Sequence, residues 1–336
     1  MPPLESAVDS LAAEISFSGV VRVDRGGEVE LERAYGLADR AHQIPNTVDT
    51  QFAIASGTKG LTAVTVASLI EDAALALSTT ARSVLGDDLP LIGDDVTIEH
   101  LLSHRSGIGD YLDEEADVDV ADYLMPVPVH ELATTEQYLV ALDGHEAKFP
   151  PDERFAYSNS GYVVLALIAE RTSAIPFHDL VRRRVCEPAG MHATEFLRSD
   201  ELPGSAALGY LTVDGARTNV FHLPVRGSGD GGIYTTGADV SAFWCALFAG
   251  WIVSSETVAE LVRPRSEEPR MSRRYGRGFW LDASGDAVML EGRDAGVSFR
   301  SVHDPRSRVT RTVISNTADG AWPITRSLAD LLASAG

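Results

Sequence analysis

Residues 55–60, Ala55-Ser56-Gly57-Thr58-Lys59-Gly60, run directly into Leu61-Thr62-Ala63-Val64-Thr65-Val66-Ala67-Ser68-Leu69-Ile70. The second stretch reads as a buried helix: apolar positions recur at helical spacing, small residues fill the gaps, and no Gly or Pro interrupts it. A helix that begins near Ser56 sets Ser56 and Lys59 on one face of its first turn, with Cβ atoms roughly 5–6 Å apart. A serine hydroxyl becomes a nucleophile when a neighbouring base takes its proton. A lysine is such a base only if burial or nearby positive potential lowers its pKa. The helix N-terminus supplies that potential, and the Ser56 N–H, a free donor of the first turn, can form half of an oxyanion hole.

Ser-x-x-Lys is a short pattern, and 28 serines in 336 residues make it an easy accident. The lysine count argues the other way. Only Lys59 and Lys148 stand against 26 arginines, and arginine, which keeps its proton in a protein, cannot replace a lysine that works as a base.

A chain of 336 residues that is 44% hydrophobic can bury a large core and is expected to form two lobes. A formal charge of −21 argues against nucleic-acid phosphates and anionic membrane surfaces and is most simply a solubility device. Cys186 and Cys245 give no disulfide framework and are expected to be buried free thiols, since both sit in apolar, helix-like contexts. No stretch approaches the ~18 apolar residues of a membrane span. The first residues lack a basic segment leading into an apolar one, so a cytoplasmic location is expected.

Along the chain, residues 4–15 predict an amphipathic helix through Leu4, Val8, Leu11 and Ile15, followed by a hairpin of 17–23 with 28–36. Thr97 predicts the cap of a helix that ends at Ser106-Gly107. Further helices are expected over 162–171, 177–185, 238–249 and 322–334. Strands are expected at 207–213, 278–281, 287–290 and 310–315. The pattern predicts an α/β (α+β) fold: an antiparallel sheet flanked by the N- and C-terminal helices, with an inserted all-helical lobe. The expected sheet domain is 1–75 plus 206–336, and the expected helical insertion is 76–205. The carboxylates of Asp110, Asp113, Glu114, Glu115, Asp117, Asp119 and Asp122, with Glu131 slightly beyond, read as a solvated loop.

Tyr157-Ser158-Asn159 is expected on a loop before the 162–171 helix. There Tyr157 can pass a proton between Ser56 and a leaving group, and the Asn159 amide can hold Lys59 and a substrate carbonyl. Glu291 to Phe299 follows a strand and is rich in small residues, which lets a ligand approach the backbone. Gly227-Ser228-Gly229-Asp230-Gly231-Gly232 fits Gly-x-Gly-x-x-Gly but lacks the βαβ frame of a dinucleotide site. His100 and His104, at i, i+4 spacing on one predicted helix face, lack the Glu of the zinc-protease motif and read as capping or core residues. No Gly-x-Ser-x-Gly elbow is present.

Taken together, several stretches resemble the serine β-lactamase and penicillin-binding-protein superfamily, in particular its class C-like esterases and peptidases. They are Ser56-Gly57-Thr58-Lys59-Gly60, Leu101-Leu102-Ser103-His104-Arg105-Ser106-Gly107-Ile108, and Phe155-Ala156-Tyr157-Ser158-Asn159-Ser160-Gly161-Tyr162. Pro188-Ala189-Gly190-Met191 and Gly229-Asp230-Gly231-Gly232-Ile233-Tyr234-Thr235-Thr236 complete the set. The resemblance implies Ser56 as acylated nucleophile, Lys59 and Tyr157 as the proton-handling pair, and Asn159 as a positioning group. It implies an acyl-enzyme that water hydrolyses, with no metal or organic cofactor, acting on a small ester, amide or short-peptide substrate. The family's third motif, Lys or His then a small residue then Gly, is matched best by Arg293-Asp294-Ala295, followed by Gly296. There Arg293 would supply positive charge, Asp294 would repel an anion, and a backbone N–H near Gly296 would complete the oxyanion hole. The expected activity is therefore an esterase-type serine hydrolase. A β-lactamase, a D-amino-acid-specific peptidase, and a non-catalytic binding module stand as alternatives.

Overall fold

Strand β1 (Gly19–Arg25) buries both faces, and its neighbours explain why. Val21 and Val23 pack with Leu31 and Val313 beneath Val8, Ala12, Ile324 and Leu328, whereas Val20 joins Ile314 and Phe299 in a larger core on the opposite side. This period of two puts one hydrophobic layer on each face of the sheet. The computed structural model describes residues 4–114, 122–268 and 271–333. Its main sheet comprises β1, β2 (Glu28–Tyr35), β3 (Ser266–Glu268), β4 (Arg273–Tyr275), β5 (Trp280–Asp282), β6 (Val288–Asp294), β7 (Val297–Asp304) and β8 (Val309–Ser315). The strand order is β2-β1-β8-β7-β6-β5-β4-β3, antiparallel throughout.

Helices α1 (Leu4–Glu14) and α6 (Ala321–Ala333) cover one face, and α6 buries Ala321, Ile324, Thr325 and Leu328 at helical spacing. On the other face lie α2 (Thr58–Glu71) and α5 (Gly237–Phe248), with Thr236 capping α5 through Asp239 N–H. The flanked antiparallel sheet is thus as the sequence predicts. Helix α2 is buried on all sides from Thr58 to Leu69. Two of its polar residues are satisfied within the helix: Thr65 Oγ1 donates to Leu61 O at 2.9 Å and Ser68 Oγ to Thr65 O at 2.7 Å. Among the described residues, 81–189 contribute helices and loops and no strand of the main sheet. They include α3 (Ile98–Leu102) and α4 (Asn159–Ser173).

Several expectations are corrected. Residues 207–213 alternate like a strand but form none. Leu208 N–H bonds Ala38 O, Tyr210 N–H bonds Asn316 O and Leu211 N–H bonds Arg217 O, so the backbone is shared among three segments and no ladder propagates. Helix α3 stops at Leu102, and His104, at φ +55°, has left it, so His100 and His104 share no helix face. His100 instead completes a capping box with Thr97. Cys186 is buried, but Cys245 is exposed on the outer side of α5. The acidic stretch is not uniformly solvated, because Asp110 is buried; Glu115, Asp117 and Asp119 lie outside the described residues.

Candidate active site

Ala55 turns the chain into α2 with φ +45°, a left-handed conformation that is costly for a residue with a Cβ. Ala55–Gly57 forms a single 3₁₀ turn that continues into α2. Ser56 and Lys59 therefore lie on the same side of one continuous helical entry, and Lys59 Nζ is 2.9 Å from Ser56 Oγ. Ser56 lines a cavity that opens to solvent. Lys59 sits behind it, 2% exposed.

The lysine is held at three points. Nζ donates to Asn159 Oδ1 at 2.7 Å and to the Asp230 carbonyl at 2.8 Å, with Ser56 Oγ as third partner. Burial drives the Lys59 pKa below its ordinary value, while Asp230, Glu114, Asp110 and Asp294 oppose that shift. A neutral amine has two N–H donors and one lone pair. Asn159 Oδ1 and the Asp230 carbonyl accept the two protons, which leaves the lone pair for the Ser56 hydroxyl.

Asn159 opens helix α4 rather than lying on the loop before it, because Ser158 caps the helix by accepting Gly161 N–H. Buried Asp110 accepts the Asn159 N–H at 2.7 Å and the Ser160 N–H at 3.0 Å, a carboxylate at a helix N-terminus. The Asn159 amide is oriented by donating from Nδ2 to Leu112 O at 2.9 Å, which leaves Oδ1 facing Lys59.

Tyr157 is clamped between aromatic rings. Trp280 on β5 stacks parallel to it at 5.9 Å between centroids, and the His104 ring lies with its centroid 4.2 Å away. His104 Nδ1 accepts the Ser158 N–H at 3.0 Å, tying the loop in place. Burial holds this imidazole well below its ordinary pKa, hence neutral. Lys59 Nζ is 4.8 Å from the centre of the Tyr157 ring. Burial together with Glu114 pushes the Tyr157 pKa well above the ordinary value, so the side chain stays a phenol.

Strand β6 closes the site opposite Ser56 at Gly292. A Cβ there would stand 2.2 Å from Ile54 O, 2.7 Å from Ser56 N and 2.9 Å from Gly57 N, a fit that only glycine allows. Gly296 lies four residues further on, in the β6–β7 turn at φ +69°, packed against Gly209 and Tyr210. Arg293 lines the cavity but is exposed, with Nε 3.0 Å from Asp319 Oδ1. The structure thus gathers Ser56, Lys59, Tyr157 and Asn159 at one point, leaves Arg293 on the rim, and sets Gly296 away from Ser56. Sequence reasoning missed Asp230, Gly292, Asp110 and Trp280. The small-residue run 227–232 was the one available signal for the Asp230 backbone.

A family profile described as Beta-lactamase matches residues 4–333. The chain belongs to the Beta-lactamase family. Within it, the chain is 26% identical over 331 residues to penicillin-binding protein 4* of Bacillus subtilis (strain 168), covering 93% of this chain and 71% of that protein. It is 30% identical over 213 residues to esterase EstB of Burkholderia gladioli, covering 59% of this chain and 52% of the esterase. Among solved structures, a penicillin binding protein from Bacillus halodurans superposes with a TM-score of 0.89 at 33% identity, over 96% of this chain and 99% of that one. The chain spans about half to seven-tenths of the length of the leading curated relatives it matches. No helix among the described residues is long and apolar enough to cross a membrane.

Proposed function

We propose that this Beta-lactamase family chain is a serine hydrolase that cleaves an ester or amide bond through an acyl-enzyme on Ser56. The observation that carries the reading is the placing of Lys59 Nζ: it is buried, which lowers its pKa, and lies 2.9 Å from Ser56 Oγ, with Asn159 Oδ1 and the Asp230 carbonyl to accept its protons. Ser56 Oγ attacks the substrate carbonyl carbon as its proton passes to Lys59. The developing oxyanion is met by the Ser56 N–H and by the backbone of β6 beside Gly292. Tyr157, kept protonated, donates to the leaving group and regains a proton from Lys59. Water then reverses the sequence and releases the acid. Asn159 fixes Lys59 and lines the cavity as a partner for the substrate carbonyl.

An ester or a peptide-like amide is favoured over a β-lactam. The rim cation Arg293 is already paired with Asp319, so the cavity offers little to a substrate carboxylate. The kinship with an esterase supports the same choice. A fluorophosphonate probe should label the protein and fail to label Ser56→Ala. Turnover of p-nitrophenyl butyrate should exceed that of nitrocefin. Absence of labelling would leave a non-catalytic binding module, and the reverse substrate order would make it a β-lactamase.

A further inference from the structure

The glycine-rich run 227–232 and the residue after it are laid along one face of α2. Thr62 Oγ1 donates to Gly229 O at 2.7 Å, Lys59 Nζ to Asp230 O at 2.8 Å, and Ile233 N–H to Thr58 Oγ1 at 3.2 Å. The approach needs glycine at 229, where a Cβ would stand 2.1 Å from Tyr162 O. The next residue nevertheless carries a carboxylate. Asp230 is 8% exposed, and its Oδ2 accepts the Tyr111 hydroxyl. Burial keeps Tyr111 protonated and therefore a donor. Tyr111 is itself fixed, since its N–H donates to Ser160 Oγ at 3.0 Å and its carbonyl accepts the Tyr123 hydroxyl. On either side of it, Asp110 and Leu112 accept from the Asn159 backbone and amide. Residues 110–112 thus steady both acceptors of the Lys59 amine, Asn159 and Asp230.

A buried carboxylate on the residue whose carbonyl meets the amine also bears on the charge of that amine. Burial drives Lys59 towards the neutral form, and Asp230 is the foremost of the charges that oppose it, ahead of Glu114, Asp110 and Asp294. The other three are differently placed. Asp110 is engaged by the α4 N-terminus, Glu114 is exposed, and Asp294 is half-buried with its pKa raised by burial to about 7. On its remaining sides the amine meets Ser56, Asn159 and the rings of Tyr157 and Tyr162, both kept as phenols by burial. His104, behind Tyr157, is held neutral. A general base works best when its proton affinity matches the working pH. Burial alone would leave the lysine a weak base, and one fixed negative charge beside it restores part of its strength. We propose that Asp230, steadied by Tyr111, is a positioning residue for Lys59: its carbonyl accepts one amine N–H, and its carboxylate sets how firmly the amine holds the proton taken from Ser56. This rests on the hydrolase reading above and adds the group that tunes its base.

The composition makes a direct test possible. Lys59 and Lys148 are the only lysines in the sequence, so lysine labelled with carbon-13 at Cε gives two NMR signals, which Lys148→Arg assigns. Lys148, paired with Asp113, is the internal control. Asp230→Asn removes the charge while its side-chain oxygen can still accept the Tyr111 hydroxyl. The Lys59 titration midpoint should then fall by about one pH unit, with that of Lys148 unmoved. The acid limb of kcat/KM on p-nitrophenyl butyrate should move down with it, whereas a role in packing alone would lower the rate and leave the limb in place. Should Asp230→Asn not fold, Tyr111→Phe carries the test: the carboxylate's charge is no longer shared with a hydroxyl, and the Lys59 midpoint should rise. A Lys59 midpoint unmoved in the folded variant would overturn the proposal, and the hydrolase reading would still stand on fluorophosphonate labelling. Midpoints that move as stated in a protein that takes no fluorophosphonate would sink the hydrolase reading and leave Asp230 coupled to Lys59.

Discussion

Substituting Gly292 by alanine adds one methyl group, yet the expected damage is concentrated at Ser56. The new Cβ would meet Ile54 O at 2.2 Å, with Ser56 N and Gly57 N at 2.7 and 2.9 Å. All three are backbone atoms, so no side-chain rotation relieves the contact. Taking Ile54 O from 2.2 Å out to an ordinary 3.4 Å separates β6 from the Ala55–Gly57 turn by about 1.2 Å. Overpacking of this kind costs about 1–3 kcal/mol in stability. Displacing Ser56 from the strand by about 1 Å costs on the order of 10²-fold in rate. The expected result for Gly292→Ala is kcat/KM on p-nitrophenyl butyrate lowered about a hundred-fold, slowed fluorophosphonate labelling, and a lower melting temperature. Gly204→Ala, at a position where a Cβ meets nothing within 4 Å, serves as control and should match wild type. Wild-type kcat/KM and melting in Gly292→Ala would show that β6 does not press on the nucleophile turn, and the oxyanion assignment would fall with it.

Lys59→Arg should lose about 10²–10⁴-fold in kcat/KM, because a guanidinium stays charged and cannot take the Ser56 proton. In wild type, kcat/KM should rise with pH until the amine, whose pKa is lowered by burial, has lost its proton, and then level off. A pH-independent rate, or near-normal activity in Lys59→Arg, would rule out the amine as base. For stability, His178 and His303 are both pushed down to about 4 by burial. Unfolded, each titrates near 6.5 and binds more protons than the folded form between those values. Their stabilising contribution is therefore complete above about pH 6.5 and is lost as pH falls through 4, up to about 3 kcal/mol each. Urea midpoints measured at pH 7, 5.5 and 4.5 should fall with acid, and His303→Asn should flatten the slope. An unchanged slope would refute the burial argument.

The meeting of Ser56 with Lys59 was legible because helical geometry fixes the spacing of a Ser-x-x-Lys pair. The terminal helices were legible because each buries one clear stripe. Strand β7 was hidden by its composition, Val297-Ser298-Phe299-Arg300-Ser301-Val302-His303-Asp304. Ser301 is buried there, accepting from Trp244 Nε1 at 2.8 Å and meeting Thr312 Oγ1 at 2.7 Å, so a polar letter occupies a core position. The local cap, Ser158 accepting Gly161 N–H, starts the helix at Asn159, three residues before its apolar run makes it legible, and Asp110, 49 residues earlier, secures the two N–H groups that no local pattern accounts for. The closeness of Gly292 to Ser56 is likewise a product of how strand and helix dock. A glycine in a strand signals a close approach somewhere, without saying to what.

The strand order has a consequence during synthesis. The ribosome makes β1 early and β8 late, yet β8 lies between β1 and β7, with Val20 opposite Ile314 and Ile314 opposite Phe299. Until residues through Ser315 have emerged, the first hairpin has no neighbour on its β8 side, and its valines remain uncovered. Nascent chains stalled before that point will therefore be sticky clients for chaperones, and the sheet closes only once Ser315 has emerged.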